Sequence, residues 1–468
     1  MRTPLTLWGA TFTLRDEIAM KIIIVGAGEL GQLVAGKLCS FNHDVVMIDT
    51  RPENLEDAGE NLDTRLLVGE GASAETLRNA GAATADLLLA LSGDEATNVL
   101  ACAIAKRLGV KKTVCRVFSK SLFSEEDGVT PSSFHIDEFF SSIDESVEQI
   151  HAILQNRILQ QKITFQNPDA LLDVVNIPLN SALTGVPIKD LPCKDFLKTI
   201  RIAAIIRKRD MIVPHGDTVL MPGDKVYVAG RAENVRAFVE WLSKDGSVPI
   251  HRVIVAGVSQ IGGRLVKRLL GEGIDVRVIE GDPKKAGRLL DALPQNVMLF
   301  EGEMTNSDIL TEADITECDA FAALSDRDEN NILSCLLASR LGAKKVIALT
   351  STAEYMDILP SIEQAGCWFN TTQISANCAF RLMSGGTIRV DPELRALNAR
   401  ITELVLSGKS RFVGKQVIDA GLPQNFLIAL IIRGDEVLAP TGQTVLQEGD
   451  QLIAVANAED IQKIKQYL

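Results

Sequence analysis

Residues 21–31 read Lys-Ile-Ile-Ile-Val-Gly-Ala-Gly-Glu-Leu-Gly, and residues 252–262 read Arg-Val-Ile-Val-Ala-Gly-Val-Ser-Gln-Ile-Gly. Each is an apolar, β-branched run that stops at a glycine and then opens an amphipathic pattern, which predicts strand, tight turn and helix. Glycine matters at the turn because a backbone without Cβ bends sharply and brings main-chain N–H groups close to an anion. Two such stretches make room for two nucleotide sites.

Working outward, the whole neighbourhood recurs. Asp44-Val-Val-Met-Ile-Asp49 falls opposite Asp275-Val-Arg-Val-Ile-Glu280, and Ala85-Asp-Leu-Leu-Leu-Ala-Leu-Ser92 opposite Cys318-Asp-Ala-Phe-Ala-Ala-Leu-Ser325. Thr97-Asn98 matches Asn330-Asn331 at the head of the next helical stretch. Arg107-Leu-Gly-Val-Lys-Lys112 matches Arg340-Leu-Gly-Ala-Lys-Lys345, with Gly109 and Gly342 where a left-handed helix C-cap is wanted and lysines beside a carbonyl-rich terminus. Short apolar strands alternating with helical stretches demand parallel crossovers, hence a twisted sheet covered on both faces. A second unit follows each first one: Ile205 to Asp224 matches Ile431 to Asp450 without a gap. Its turns and short strands predict a small antiparallel module with a closing helix.

The expected fold class is therefore α/β: a tandem duplication of a Rossmann-like, doubly wound parallel-sheet domain, each copy followed by a small α+β C-terminal domain. The boundaries we expect are an extension at 1–19, then 20–150, 160–246, 250–385 and 395–468, with helical connectors at 141–165 and 375–390. Residues 1–19 lack the pattern of a signal peptide, and Met20-Lys21 just before the first strand reads as an alternative start.

Composition narrows the function. A formal charge of −13 argues against nucleic acid, whose phosphates need a basic face. No apolar run reaches the ~18–20 residues of a membrane-spanning helix. The eight cysteines are scattered without a C-x-x-C pair, so they read as small buried hydrophobes and no metal site is expected. Gly223-Asp224 and Gly449-Asp450 read as hairpin turns rather than metal ligands.

In the first copy, Gly26 makes the turn, Gly28 lets the backbone reach a diphosphate, and Gly31 allows helix and strand to pack closely. Asp49 ends the next strand, where a carboxylate accepts hydrogen bonds from ribose hydroxyls and repels a 2′-phosphate; NAD(H) is expected over NADP(H). Ser92 and Gly93 end the fourth strand at the same sheet edge, and Arg116 ends the fifth, in reach of a phosphate. The second copy keeps Gly257, Gly262 and the ribose-type carboxylate Glu280, with Ser259 in place of the middle glycine. None of the five histidines falls in a catalytic constellation: His43, His135, His151, His215 and His251 read as surface or capping residues, and no catalytic residue is assigned. A sensor is favoured; an NAD-dependent oxidoreductase with an unrecognised substrate pocket and a scaffold with empty loops are the alternatives.

The tandem order, the loop Gly-Ala-Gly-Glu-Leu-Gly at 26–31, the segment Ser-Gly-Asp-Glu-Ala-Thr-Asn at 92–98 and the pattern P-x-G-x-T-x-L-x-x-G-D at 214–224 and 440–450 closely resemble the peripheral regulatory subunits of Trk-type bacterial potassium uptake systems. Those subunits are built from two regulator-of-potassium-conductance modules. The resemblance covers residues 20–468. It implies a cytoplasmic protein at the inner face of the membrane, bound to a membrane-embedded potassium-translocating subunit. It also implies a ring of modules in a homo-oligomer, gating by NAD (NADH) or by ATP/ADP, and nucleotide contacts at Gly26, Ala27, Gly28, Glu29, Leu30, Asp49, Ser92, Gly93 and Arg116 and, in the second copy, at Gly257, Val258, Ser259, Gln260, Ile261, Glu280 and Ser325. Phe118 stands where the family often has a second arginine.

Overall fold

The computed structural model describes residues 19–468 apart from 41, 125, 157, 166, 179–180, 209, 245–249, 293–296, 353, 356–358, 360–365, 385–398, 424, 466 and 468. The extension expected at 1–19 thus lies, but for its last residue, outside the described residues, as do 385–390 of the second connector and 395–398 of the last module.

The first sheet contains β1 (Lys21–Val25), β2 (Asp44–Asp49), β3 (Arg65–Val68), β4 (Leu87–Ala90), β5 (Lys112–Val117) and β6 (Glu138–Ser141). Its helices are α1 (Glu29–Ser40), α2 (Pro52–Asn61), α3 (Ala74–Asn79), α4 (Glu95–Leu108) and α5 (Ser142–Leu154). All strands run parallel in the order β3-β2-β1-β4-β5-β6. The chain therefore reverses its winding between β1 and β4, and a crevice opens there at the carboxyl edge.

The next module has β7 (Leu159–Thr164), β8 (Ala170–Asn176), β9 (Ile200–Arg207), β10 (Asp210–Ile212), β11 (Lys225–Arg231) and α6 (Ala232–Lys244). The third repeats the first: β12 (Arg252–Ala256), α7 (Gln260–Gly271), β13 (Asp275–Glu280), α8 (Pro283–Ala292), β14 (Met298–Glu301), α9 (Ser307–Glu312), β15 (Ala320–Ala323), α10 (Asp328–Arg340), β16 (Val346–Thr350), β17 (Cys367–Asn370) and α11 (Thr371–Ser384). Its parallel sheet has the same order, β14-β13-β12-β15-β16-β17. The last module has β18 (Ala399–Val405), β19 (Phe426–Arg433), β20 (Glu436–Leu438), β21 (Gln451–Asn457) and α12 (Ala458–Lys465).

The expected α/β duplication is what the strands form. Gly109 caps α4 in the left-handed region at φ 112°, and Gly342 follows α10 at φ 103°. Three readings need correction. Residues 159–164 of the first connector form β7, an edge strand paired antiparallel with β8, because the helix has already ended at Leu154. The aspartates after Gly223 and Gly449 are more than turn formers. Asp224 is buried and takes a two-pronged contact from Arg207 (Nε and a terminal nitrogen, both 2.8 Å), and Asp450 takes the same from Arg433 at 2.7 and 2.8 Å.

The third correction concerns the paired lysines. Lys112 and Lys345 do not serve the ends of their own helices. Lys112 Nζ donates to the Leu382 carbonyl at 2.5 Å, and buried Lys345 Nζ donates to the carbonyls of Ile153, Asn156 and Leu159 at 2.9, 2.8 and 2.6 Å. Each lysine thus holds the carboxyl end of a helix that arrives from the other half of the chain. Those helices are exchanged. Residues Ala376, Cys378, Ala379 and Phe380 of α11 enter the core with Leu30, Val34 and Leu38 of α1 and Phe140 of β6, while Ile143, Val147 and Ile150 of α5 share a core with Leu265 and Leu269 of α7. His151 is part of this exchange, not a surface or capping residue: it is buried and lies 2.7 Å from Glu272 beyond the end of α7. The antiparallel sheets also meet, with Ala203 and Tyr227 in one core with Ile401, Leu430 and Val455.

Candidate nucleotide site

At the crevice between β1 and β4 lies a cleft of about 600 Å³, within the range of small-molecule sites. The glycine loop forms its floor. Gly26 takes φ 102°, and a Cβ there would stand 2.8 Å from the Ser92 backbone. A Cβ on Gly31 would stand 1.9 Å from the Gly26 carbonyl oxygen. Gly28 is different: nothing lies within 4 Å of the place its Cβ would take. Two glycines are thus required by the protein's own packing, and the third leaves its space open toward the cleft.

Asp49 is tied beneath the loop. Its carboxylate accepts from the N–H of Ala27 at 2.7 Å, the N–H of Arg51 at 2.9 Å and the Asn54 amide at 3.2 Å. Burial alone would raise its pKa; those donors and the Arg51 charge outweigh burial and hold it below the usual carboxylate value. Ser92 is positioned by Asn98, a buried residue whose Oδ1 accepts from the Ser92 N–H and hydroxyl at 2.9 and 2.8 Å and whose amide donates to the carbonyls of Ser92 and Arg116. Asn98 therefore locks the β4 loop to the end of β5.

Arg116 donates to Ser142 Oγ at 2.9 Å and rests 6.0 Å from the Phe118 ring. It makes no ion pair among the described residues, and burial lowers its pKa from the ordinary guanidinium value. A desolvated cation without a carboxylate partner among the described residues, lining a cleft at the start of α1, suits an anionic ligand.

Of the first-copy residues marked by sequence, Gly26, Gly28, Glu29, Leu30, Asp49, Ser92, Gly93 and Arg116 line the cleft together. Ala27 does not, being fully buried with its N–H held by Asp49. Sequence reasoning missed Asn98 as the positioning residue, although its recurrence as Asn331 was a visible signal. It also missed Gly69 to Gly71, and four residues from the other half: Ser351, Thr371, Thr372 and Ser375. Nothing in a one-dimensional reading brings those four to this place.

The second copy keeps the scaffold. Gly257 has φ 91°, the N–H of Val258 donates to Glu280 Oε2 at 2.6 Å, and Asn331 holds Ser325 as Asn98 holds Ser92. Its cleft, of about 430 Å³, is lined by Gly257, Glu280 and Ser325, while Val258, Ser259, Gln260 and Ile261 do not line it. The Ser259 hydroxyl caps α7, accepting from the Gly262 N–H at 3.2 Å, and Ile261 points into the core. The residue bonded by Asn331 as Arg116 is by Asn98 is Leu349, so the cation is gone. Asp282 stands where Arg51 does and Asp326 where Gly93 does, the latter paired with Lys285 at 2.7 Å.

Comparison with known proteins finds the same organisation. The TrkA-N domain family matches residues 22–122 and 253–367, and the TrkA-C domain family matches 174–243 and 401–468. The Trk system potassium uptake protein TrkA of Vibrio alginolyticus is 29% identical over 443 residues, 93% of this chain and 95% of that protein. The TrkA homolog 1 of Methanosarcina mazei is 30% identical over 460 residues, 96% of this chain and all of that protein. Among solved structures, the GsuK RCK domain superposes with a TM-score of 0.59 at 17% identity, covering 99% of this chain and 98% of that one. A GsuK channel bound to NAD gives 0.60 at 18% identity, over 98% and 81%. These structures share the fold.

Proposed function

Because the chain belongs to the TrkA family of Trk-system potassium uptake proteins, we propose that it is a regulatory subunit, not an enzyme. In this reading it binds NAD(H) in the first cleft and gates a membrane-embedded, potassium-translocating partner of Trk type. One arrangement carries the reading: an anchored Asp49, an open Gly28 and an unpaired Arg116 around one cleft. Asp49 receives the adenosine ribose, Gly28 and the start of α1 receive the diphosphate, and Arg116 faces its charge. That a GsuK channel of the same fold was solved with NAD supports the choice of ligand.

Charge selects among nucleotides. The lining carries Glu29, Asp49, Glu70 and Asp94 against Arg51 and Arg116. A triphosphate would bring more negative charge into that field than a dinucleotide does, so NAD(H) is preferred to ATP. The second cleft, with Leu349 for the arginine and a capping serine for the open glycine, is read as a structural copy.

Gating follows from differential affinity: a ligand that fits one arrangement of the modules better than another shifts the population, and about 1–3 kcal/mol of coupling suffices. Leu100 on α4 and Leu333 on α10 are exposed at equivalent places, which supports contacts between copies in a homo-oligomeric ring. Among the described residues no helix is long and apolar enough to cross a membrane; in this reading the partner holds the chain at the inner face.

The test is calorimetric titration of NADH into the Asp49→Ala variant. We expect affinity to fall about ten- to hundredfold, the worth of hydrogen bonds to a charged group. Unchanged affinity sinks the ribose assignment.

A further inference from the structure

We propose that Ser351, Thr371, Thr372 and Ser375 of the second half contact the nicotinamide-side nucleotide of a dinucleotide held in the first cleft, so that the ligand itself joins the two halves. This rests on the reading of the first cleft as an NAD(H) site.

The four residues line the same cleft as Gly28 and Arg116. They sit where β16 ends and where α11 begins. Helix α11 is the exchanged one. It packs on α1 and on β6 of the first half, and Lys112 of β5 secures its far end. It therefore lies on the β4–β5–β6 side of the switch point, whereas Asp49 ends β2 on the other side. A dinucleotide in such a crevice places one nucleotide over each side. With the adenosine ribose at Asp49, the nicotinamide nucleotide faces α11.

The hydrogen bonding of the wall agrees. The Thr372 hydroxyl donates to the Ser351 carbonyl at 2.9 Å, the Ser375 hydroxyl to the Thr371 carbonyl at 2.7 Å, and the Ser351 hydroxyl to the Asp328 carboxylate at 3.3 Å. Each hydroxyl has one hydrogen, already committed within its own half, and keeps oxygen lone pairs for a ligand. An acceptor wall suits hydrogen-bond donors. Ribose hydroxyls and a carboxamide NH2 qualify. The wall thereby complements the floor, which offers N–H groups and a guanidinium to the diphosphate. The consequence is selective. NADH touches both halves, while AMP, confined to the Asp49 side, touches only the first.

The experiment compares NADH and AMP binding to the full chain and to a Thr372→Val, Ser375→Ala double variant, with hydrogen exchange followed on the unmodified protein. In the variant we expect NADH to weaken by about two- to tenfold for each lost hydrogen bond while AMP affinity is unchanged. In the unmodified protein, NADH and not AMP protects amides near the start of α11. Unchanged NADH affinity, an equal loss for both ligands, or protection confined to the first half would each overturn the proposal. Failure of the unmodified protein to bind NADH would instead remove the site reading on which it rests.

Discussion

The two halves share a backbone plan and part company where chemistry would occur. Around the first crevice stand Gly28, Arg51, Gly93 and Arg116; at the matching places of the second stand Ser259, Asp282, Asp326 and Leu349. The residues that keep the fold did not diverge in the same way. Gly26 and Gly257 both hold positive φ, Gly31 and Gly262 both abut a carbonyl, and Asn98 and Asn331 both bond a serine and a strand end. Backbone packing constrains those positions, whereas a ligand-facing position is constrained only by what its cleft must hold. A duplicated chain thus separates what a fold needs from what a site needs.

The antiparallel modules differ too, and the largest expected effect lies there. Asp173 of β8 is buried, with Oδ1 unpartnered, and burial pushes its pKa up to about 7 against the opposing pull of Lys162 and Arg236. By strand register its counterpart is Thr402 of β18, since Asp173 pairs with Val228 of β11 and Thr402 with Ala454 of β21. Below about pH 4 the carboxyl is neutral in both folded and unfolded chains and costs nothing. As pH rises toward 7 the unfolded chain ionises first, so stability is lost across that window and stays lost above it. Asp173→Asn should remove this slope and stabilise the first half by up to about 4 kcal/mol at pH 8. Denaturant unfolding at pH 5 and pH 8 checks it; equal gains at both values would contradict the assigned burial.

Next in size are the turn glycines. Gly26→Ala and Gly257→Ala should each lower stability by about 2–3 kcal/mol, because an L-residue is strained at these angles and its Cβ meets serine backbone at 2.8 and 2.6 Å. Thermal unfolding should rank them alike. Only the first should lose NADH binding; loss in both would break the distinction between a working cleft and a copy.

Smaller still is Arg116→Leu, which makes the first half imitate Leu349. We expect NADH affinity to fall about tenfold, or about 1.5 kcal/mol, with a smaller loss of stability, since among the described residues the guanidinium gives up a hydrogen bond to Ser142 but no carboxylate partner. A titration paired with a melting curve decides it. Destabilisation without weaker binding would make Arg116 a packing residue.

The sequence by itself determined the duplicated strand–turn–helix units, the parallel sheets, the glycine turns and, of the first-half cleft, Gly26, Gly28, Glu29, Leu30, Asp49, Ser92, Gly93 and Arg116, but not Gly69 to Gly71. Those follow from patterns local in the chain: period, glycine φ, and a carboxylate one strand further on. Only the tertiary structure decided that α5 and α11 change places, that Lys112 and Lys345 hold the incoming helix ends, that His151 meets Glu272, and that Ser351 and the start of α11 wall the first cleft. Such contacts join residues more than a hundred positions apart, and an amphipathic helix has the same sequence pattern whichever sheet it covers. Which partner it buries is set by the geometry of the assembled halves, and that geometry is where the second wall of the site arises.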